Sequence, residues 1–394
     1  MLRLLTFATL LFVCAASTAF AQFETAALVG TVTDGSGGVV ADALITATNV
    51  DTGVTMTRRT DANGHYEFVT LRIGNYLVTA EKAGFALALA ENVRLEVGAR
   101  LRVDLGLQVG QLTERIEVSA AASLLETDTS QRGQIITGEQ TRALPLNGRE
   151  YSALALLTTG VRLSALNTGG FTPREGSFNV NGLRSTFNNF LIDGVDNNAY
   201  GTSNQGFSNQ VMQPPPDAIG EFKVVTNNMS AEYGRSAGAT INVAYASGTN
   251  QLRGSAWEFL RDTSLNATGF FKPANGEKPP LERNQFGGTI GGPILRNRAF
   301  FFADYEGFRQ TRGVPSSSTV PTLDQRQGLL NVAVTNPLTG QTYPAGTPIP
   351  MTTFARKVLS ELPAPTNAQG SNNYVLLQEF KNTTDKFGGK VTSR

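Results

Sequence analysis

Gly234-Arg235-Ser236-Ala237-Gly238 has the G-x-S-x-G spacing of a nucleophile elbow, in which a strained strand-to-helix turn presents a serine to a histidine further along the chain. The single histidine, His65, precedes that serine, and Thr240-Ile241-Asn242-Val243 after the motif reads as a strand where a helix is needed. The match is therefore read as accidental. One imidazole without Cys or a second His does not make an ordinary zinc site, so His65 is read as a surface strand residue. Asp61 and Asn63 offer oxygen ligands, but the spaced acids and closing Glu of a calcium loop are missing; they are read as turn residues. No catalytic residue, no metal site and no cofactor is expected, and the chain is not read as an enzyme.

Exclusions also come from composition. Lys+Arg 33 against Asp+Glu 32 leaves a net charge of +1, which gives nucleic acid no electrostatic reason to bind. Residues 1–21 carry a cation at Arg3, an apolar run and Ala19-Phe20-Ala21 before Gln22, the three regions of a secretory signal. Cleavage after Ala21 is preferred to lipidation at Cys14, because Val13 stands where a small residue is expected. Cys14 is the only cysteine and would leave with the signal, so the exported chain would rely on burial and sheet hydrogen bonds.

The elements that position any site are mainly strands. The 41 glycines and abundant Thr, Val and Asn favour strands and turns, and past the signal no apolar run reaches the roughly 18 to 20 residues of a spanning helix. Membrane entry would require a barrel. Residues 26–111 alternate short apolar runs with turn signals, the pattern of an all-β sandwich. Strands are expected near 28–33, 43–48, 55–60, 65–68, 74–81, 93–97 and 100–107, with Asp61-Ala62-Asn63-Gly64 as a hairpin turn. Residues 121–246 mix helix-compatible pieces, 139–143 and 150–157, with Gly/Asn-rich loops.

In the sandwich, Gly30 to Asn49 (G-T-V-T-D-G-S-G-G-V-V-A-D-A-L-I-T-A-T-N), Thr60 to Phe68 (T-D-A-N-G-H-Y-E-F) and Gly74 to Phe85 (G-N-Y-L-V-T-A-E-K-A-G-F) resemble the carboxypeptidase regulatory-like domain. That resemblance implies a transthyretin-like, carbohydrate-binding-like fold without peptidase chemistry. Leu144-Pro145-Leu146-Asn147-Gly148-Arg149, Phe178-Asn179-Val180-Asn181-Gly182-Leu183-Arg184, Leu191-Ile192-Asp193-Gly194-Val195-Asp196 and Glu232-Tyr233-Gly234-Arg235 resemble the plug of TonB-dependent receptors. Asn181-Gly182 stands where plugs commonly carry Arg-Gly and is similar to the Oar-like branch. Asp193 and Asp196, with Arg174 and Glu175 nearby, are candidates for contact with a ligand or the barrel wall; the resemblance implies that their strand lies inside the plug core, which favours a structural role. Between sandwich and plug, Glu114, Arg115, Ile116, Glu117, Val118, Ser119 and Ala120 resemble a TonB box, which pairs with the energising protein by strand addition. The same residues also fit a linker or the sandwich's last strand.

Residues 255–260 place Trp257 and Phe259 on one face, 283–292 form a Gly/Thr-rich strand, and 299–308 set Phe301, Ala303 and Tyr305 opposite Asp304 and Glu306. Apolar and polar faces in alternation suit strands between lipid and lumen, and Phe270, Phe271, Phe300, Phe301 and Phe302 are assigned to aromatic girdles. The link at 262–282 is long, 293–298 is short, and 310–383 is long. Short turns face the periplasm and long loops the exterior.

The expected organisation is a signal at 1–21, a sandwich at 22–112, a box at 113–120, a plug at 121–246, and the first strands of an incomplete outer-membrane β-barrel at 247–394. Plugged transporters have about 22 strands, so a fragment or truncated gene product is expected. What the resemblance implies is an outer-membrane receptor with its sandwich in the periplasm. It would import an unidentified extracellular ligand, a carbohydrate being one option, with TonB and its inner-membrane energising complex as partners. The other reading is a surface carbohydrate-binding or adhesion protein without transport.

Overall fold

The computed structural model describes residues 25–110, 115–117, 128–164, 178–199, 210–234, 237–267 and 278–393. The signal segment with Cys14, Arg174, Glu175, Phe270, Phe271, Glu114 and 118–120 lie outside the described residues. The chain forms two compact units: Met1–Ala256 with Gly288–Glu306 and Lys386–Arg394, and Trp257–Gly287 with Gly307–Asp385.

The first unit begins with a sandwich of two sheets. One holds β1 (Thr25–Asp34) between antiparallel β4 (His65–Arg72) and parallel β7 (Arg100–Arg102), with β8 (Leu105–Leu107) also parallel to β1. The other runs β3 (Thr55–Arg59), β2 (Leu44–Asn49), β5 (Gly74–Glu81), β6 (Leu87–Leu95), β9 (Arg115–Glu117). Period-2 alternation along β2 and β5 buries Ile45 and Val78, and they share one core with Phe68, Leu71, Leu101 and Leu105. At Gly30 a Cβ would fall 1.9 Å from the Val103 carbonyl oxygen, so β1 needs a glycine where another backbone passes.

Asp61-Ala62-Asn63-Gly64 is a turn, with Gly64 at φ 74° and the Asp61 Oδ1 accepting from the Asn63 and His65 amides at 2.8 Å. It does not close a hairpin. β3 pairs with β2 and β4 with β1, so the turn carries the chain from one sheet to the other. The expected strand at 100–107 is two, and that at 93–97 is the end of the longer β6, which the β5 ladder extends back to Ala88.

The plug is a five-stranded sheet ordered β10 (Arg132–Thr137), β15 (Ile219–Asn227), β16 (Thr240–Tyr245), β13 (Asn189–Ile192), β14 (Val195–Asp196). Beside it β11 (Val161–Leu163) pairs with β12 (Phe178–Val180). Phe222, Tyr151, Phe178 and Phe190 fill its core, with Tyr151 edge-on to Phe222 at 5.4 Å. Helix α1 (Gly138–Ala143) starts at a capping box in which Thr137 and Gln140 satisfy each other's amides. Thr137→Ala is expected to cost about 1 kcal/mol, read as a lower plug unfolding midpoint in denaturant; an unchanged midpoint would show that the cap contributes nothing. A 3-10 turn, Tyr151–Leu157, follows.

Four long strands, β17 (Arg253–Asp262), β18 (Leu281–Leu295), β19 (Ala299–Ser318) and β22 (Tyr374–Ser393), bond in the order β17-β18-β19-β22. They overrun the expected limits, because ladder pairing carries β18 through Gly292-Pro293 and starts β22 at Tyr374. The β18 to β19 turn is short, as expected, and the link after β19 shrinks to 319–373.

Within the second unit that link folds on itself. It contains α2 (Leu323–Arg326), the ladder of β20 (Val334–Thr335) with β21 (Thr342–Tyr343), and α3 (Thr353–Glu361). Arg326 donates to the carbonyls of Leu359 and Leu362 at 3.0 and 2.8 Å, satisfying groups at the end of α3. The strand stems carry Arg309 paired with Asp385 at 2.7 Å and Arg312 over the Phe380 ring at 5.3 Å.

Candidate functional site

Among the described residues, a concentration of buried charge lies where the plug meets β19 and β22, all within the first unit. Gly148 and Arg149 both adopt left-handed backbone, φ 91° and 57°. That turn aims the Arg149 side chain inward: Nε donates to Glu306 Oε2 at 2.9 Å, and a terminal nitrogen bonds Asp217. Glu306, 1% exposed, also receives Lys386 Nζ at 3.3 Å. Two cations and two carboxylates therefore neutralise one another in a dry place, where an unpaired charge would be expensive.

One register step along the same strands lies a second cluster. Asp193, itself left-handed at φ 47°, accepts from the Tyr245 amide at 2.8 Å and pairs with Lys390 at 3.0 Å. Lys390 also reaches the Tyr245 carbonyl at 3.1 Å, and the Tyr245 hydroxyl bonds Asp304. Burial pushes the Tyr245 phenol well above its ordinary range, and the neighbouring Asp304 carboxylate adds to the shift. A Cβ at Gly388 would fall 1.8 Å from the Tyr245 hydroxyl, so the glycine clears the space for this contact. Asp304 and Glu306 on β19, and Lys386, Gly388 and Lys390 on β22, are spaced by two, which places each set on one face.

The third cluster joins plug and sandwich. Glu221, 2% exposed, accepts from the Val97 amide and pairs with Arg94 at 3.3 Å, while Lys223 Nζ donates to the Gly98 carbonyl at 3.3 Å. Burial pushes the Glu221 carboxyl up to about 7, against the Val97 hydrogen bond and Arg94, which act to lower it.

Asp193 thus touches the barrel wall, whereas Asp196 turns back to cap Asn198 at 2.8 Å. His65 is exposed and shares a 2.9 Å hydrogen bond with the Thr31 hydroxyl. In the serine motif, Arg235 and Ser236 lie outside the described residues, and strand β16 follows. The girdle assignment needs correcting at Phe300 and Phe302: alternation puts them on the face of Asp304, with Phe300 1% exposed and Phe302 edge-on to Tyr245 at 6.0 Å. Of the box candidate, Arg115–Glu117 extends beside β6, with Ala88 opposite Ile116 in parallel register. Asp217, Glu221, Lys223, Tyr245, Lys386 and Lys390 were not singled out from the sequence. A detectable signal was present in I-G-E-F-K-V-V-T-N (Ile219–Asn227), where two charges interrupt an apolar strand.

Such an arrangement holds charges in balanced pairs and offers no free nucleophile poised beside a base. What it provides is electrostatic attachment between elements.

Comparison with known proteins matches three family models in sequence: Carboxypeptidase regulatory-like domain at residues 27–108, TonB-dependent Receptor Plug Domain at 125–241, and Outer membrane beta barrel domain at 244–394. The chain is 27% identical over 305 residues to the TonB-dependent transporter Oar of Myxococcus xanthus, covering 73% of this chain and 27% of that protein. It therefore spans about a quarter of that relative's length. Among solved structures, the siderophore receptor PirA from Acinetobacter baumannii is 19% identical with a TM-score of 0.35, covering 51% of this chain and 30% of that one. The outer membrane transporter YddB from Escherichia coli is 15% identical with a TM-score of 0.35, covering 48% and 27%.

Proposed function

We propose that this chain, which belongs to the TonB-dependent receptors of the outer membrane, supplies the plug and first barrel strands of an energised importer. The observation that carries this reading is the Arg149–Glu306 pair, in which a plug side chain is fastened to a barrel strand by charge. A plug held by ion pairs can be released and reseated without unfolding the wall. The ligand enters from outside, and TonB, driven from the inner membrane, pulls on residues 114–120. The extended backbone of Arg115–Glu117, already laid along a strand edge, supports its capacity for strand addition.

A periplasmic location of the sandwich is part of the same proposal. Asn250 donates to the Asp51 carbonyl at 3.1 Å and pairs with Asn297, in the short β18 to β19 turn, at 2.7 Å. Short turns lie on the periplasmic side of outer-membrane barrels, which supports the same side for the sandwich.

The test is binding of the purified periplasmic domain of TonB to the full chain and to a chain lacking residues 114–120. Deletion is expected to weaken binding at least tenfold. Equal binding by both chains rules out energised import through this segment.

A further inference from the structure

We infer that the N-terminal sandwich is a staple that grips both plug and barrel base, and that it releases the barrel side first, so that sandwich and plug move as one body. The consequence for import rests on the energised reading above; the order of release does not.

The two grips are built differently. On the plug side, the Val97 amide and Arg94 converge on Glu221, and Lys223 holds the Gly98 carbonyl. Glu221 and Lys223 are 2% and 4% exposed. Gly98 sits at φ 63°, and a Cβ there would come 2.9 Å from the Tyr233 hydroxyl, so the loop is fitted closely to the plug. Because Glu221 and Lys223 are buried, no water stands ready to take over their hydrogen-bond partners as this contact begins to open.

On the barrel side the contacts lie nearer to solvent, and apart from the Arg72 guanidinium they are made by neutral groups. The Asn250 amide donates to the Asp51 carbonyl at 3.1 Å, and its side chain donates to the Thr52 carbonyl at 2.7 Å. Asn297, exposed in its turn, completes the group through Asn250. Arg72 reaches the carbonyl of exposed Ser393 at 3.1 Å. Water replaces such partners at little net cost, so this side opens first under thermal motion or load.

Native-state amide exchange on the full chain in lipid nanodiscs reads the order directly. The Asn250 amide, bonded to Asp51, is expected to exchange at least tenfold faster than the Val97 amide, bonded to Glu221. Equal rates, or a slower Asn250, overturn the proposed order.

The mechanical consequence is tested by pairing Gly53→Cys with Asn297→Cys. A Cβ at position 53 lies 3.0 Å from Asn297 Cγ, close enough for a bridge, and Cys14 is the only native cysteine. The chain is pulled in a supported bilayer by a tip carrying the periplasmic domain of TonB. Oxidation should leave tip attachment intact and reduce long plug extensions at least tenfold, with recovery in reductant. Unchanged extensions in the oxidised chain defeat the staple. A lack of extension in oxidised and reduced chains alike, with the exchange difference present, defeats the energised-import reading and leaves the release order standing.

Discussion

Arg149→Ala is expected to destabilise the seated plug by about 3 to 5 kcal/mol, because it strips a buried carboxylate of its closest cation. Glu306 is 1% exposed and would keep only the longer contact to Lys386 at 3.3 Å. Asp217 would lose its partner in the same step. Removing one member of a buried pair costs more than removing both, since the remaining charge is stranded away from water. Arg149→Ala combined with Glu306→Ala should therefore be less damaging than the sum of the two single changes. Protease susceptibility of the plug in denaturant, across the four chains of a double-mutant cycle, measures the coupling. Additive effects would mean that the pair does not fasten plug to wall. A second observable is backbone strain: Arg149 sits at φ 57°, so Arg149→Gly relieves the turn while deleting the charge. If it destabilises as strongly as alanine does, the charge and not the turn carries the effect.

The lock was half visible in the sequence. Leu144 to Arg149 stood out as a motif, and the alternation of 299–308 put Glu306 on the polar face. What joined them was a contact 157 positions apart, and no local pattern encodes which buried acid a given arginine will meet. The same limit governs the sheets. Asp61 to Gly64 signalled a turn through its side-chain acceptor and its glycine, and a turn is there. The hydrogen bonds of β3 and β4, however, go to β2 and β1, so the local signal fixed the reversal and tertiary pairing chose the partners. Pro293 and Gly292 looked like a strand end, yet β18 continues to Leu295 because a neighbouring ladder outweighs a local breaker. Phe300 and Phe302 show the converse: strict period-2 reading of β19 would have placed them beside Asp304, facing the plug. Grouping three consecutive aromatics as one girdle ignored that alternation.

Glu221 has a carboxyl that ordinarily titrates at 4.5 and is pushed by burial up to about 7. The protonated form is thus favoured in the folded chain more than in the unfolded one. Stability from this group is fully present below 4.5, declines as pH rises, and is lost once pH passes about 7. The shift corresponds to about 3 kcal/mol between the two ends of that window. The charges facing Glu221 are Arg94, which lowers the value, Glu96, which raises it, and Lys223, which lowers it. Glu221→Gln keeps an oxygen to accept the Val97 amide and removes the buried charge. Arg94 is 44% exposed in its side chain, so water can take over its solvation when the carboxylate is gone. The variant is expected to exceed the parent in stability above pH 7, by up to about 3 kcal/mol, with the gap shrinking as pH falls toward 4.5. Denaturant unfolding of the two chains at pH 5 to 8.5 measures that gap. Curves that run parallel across this range would show that Glu221 does not carry the proton. A variant less stable than the parent at high pH would instead mean that the Arg94 pairing outweighs the burial of the charge.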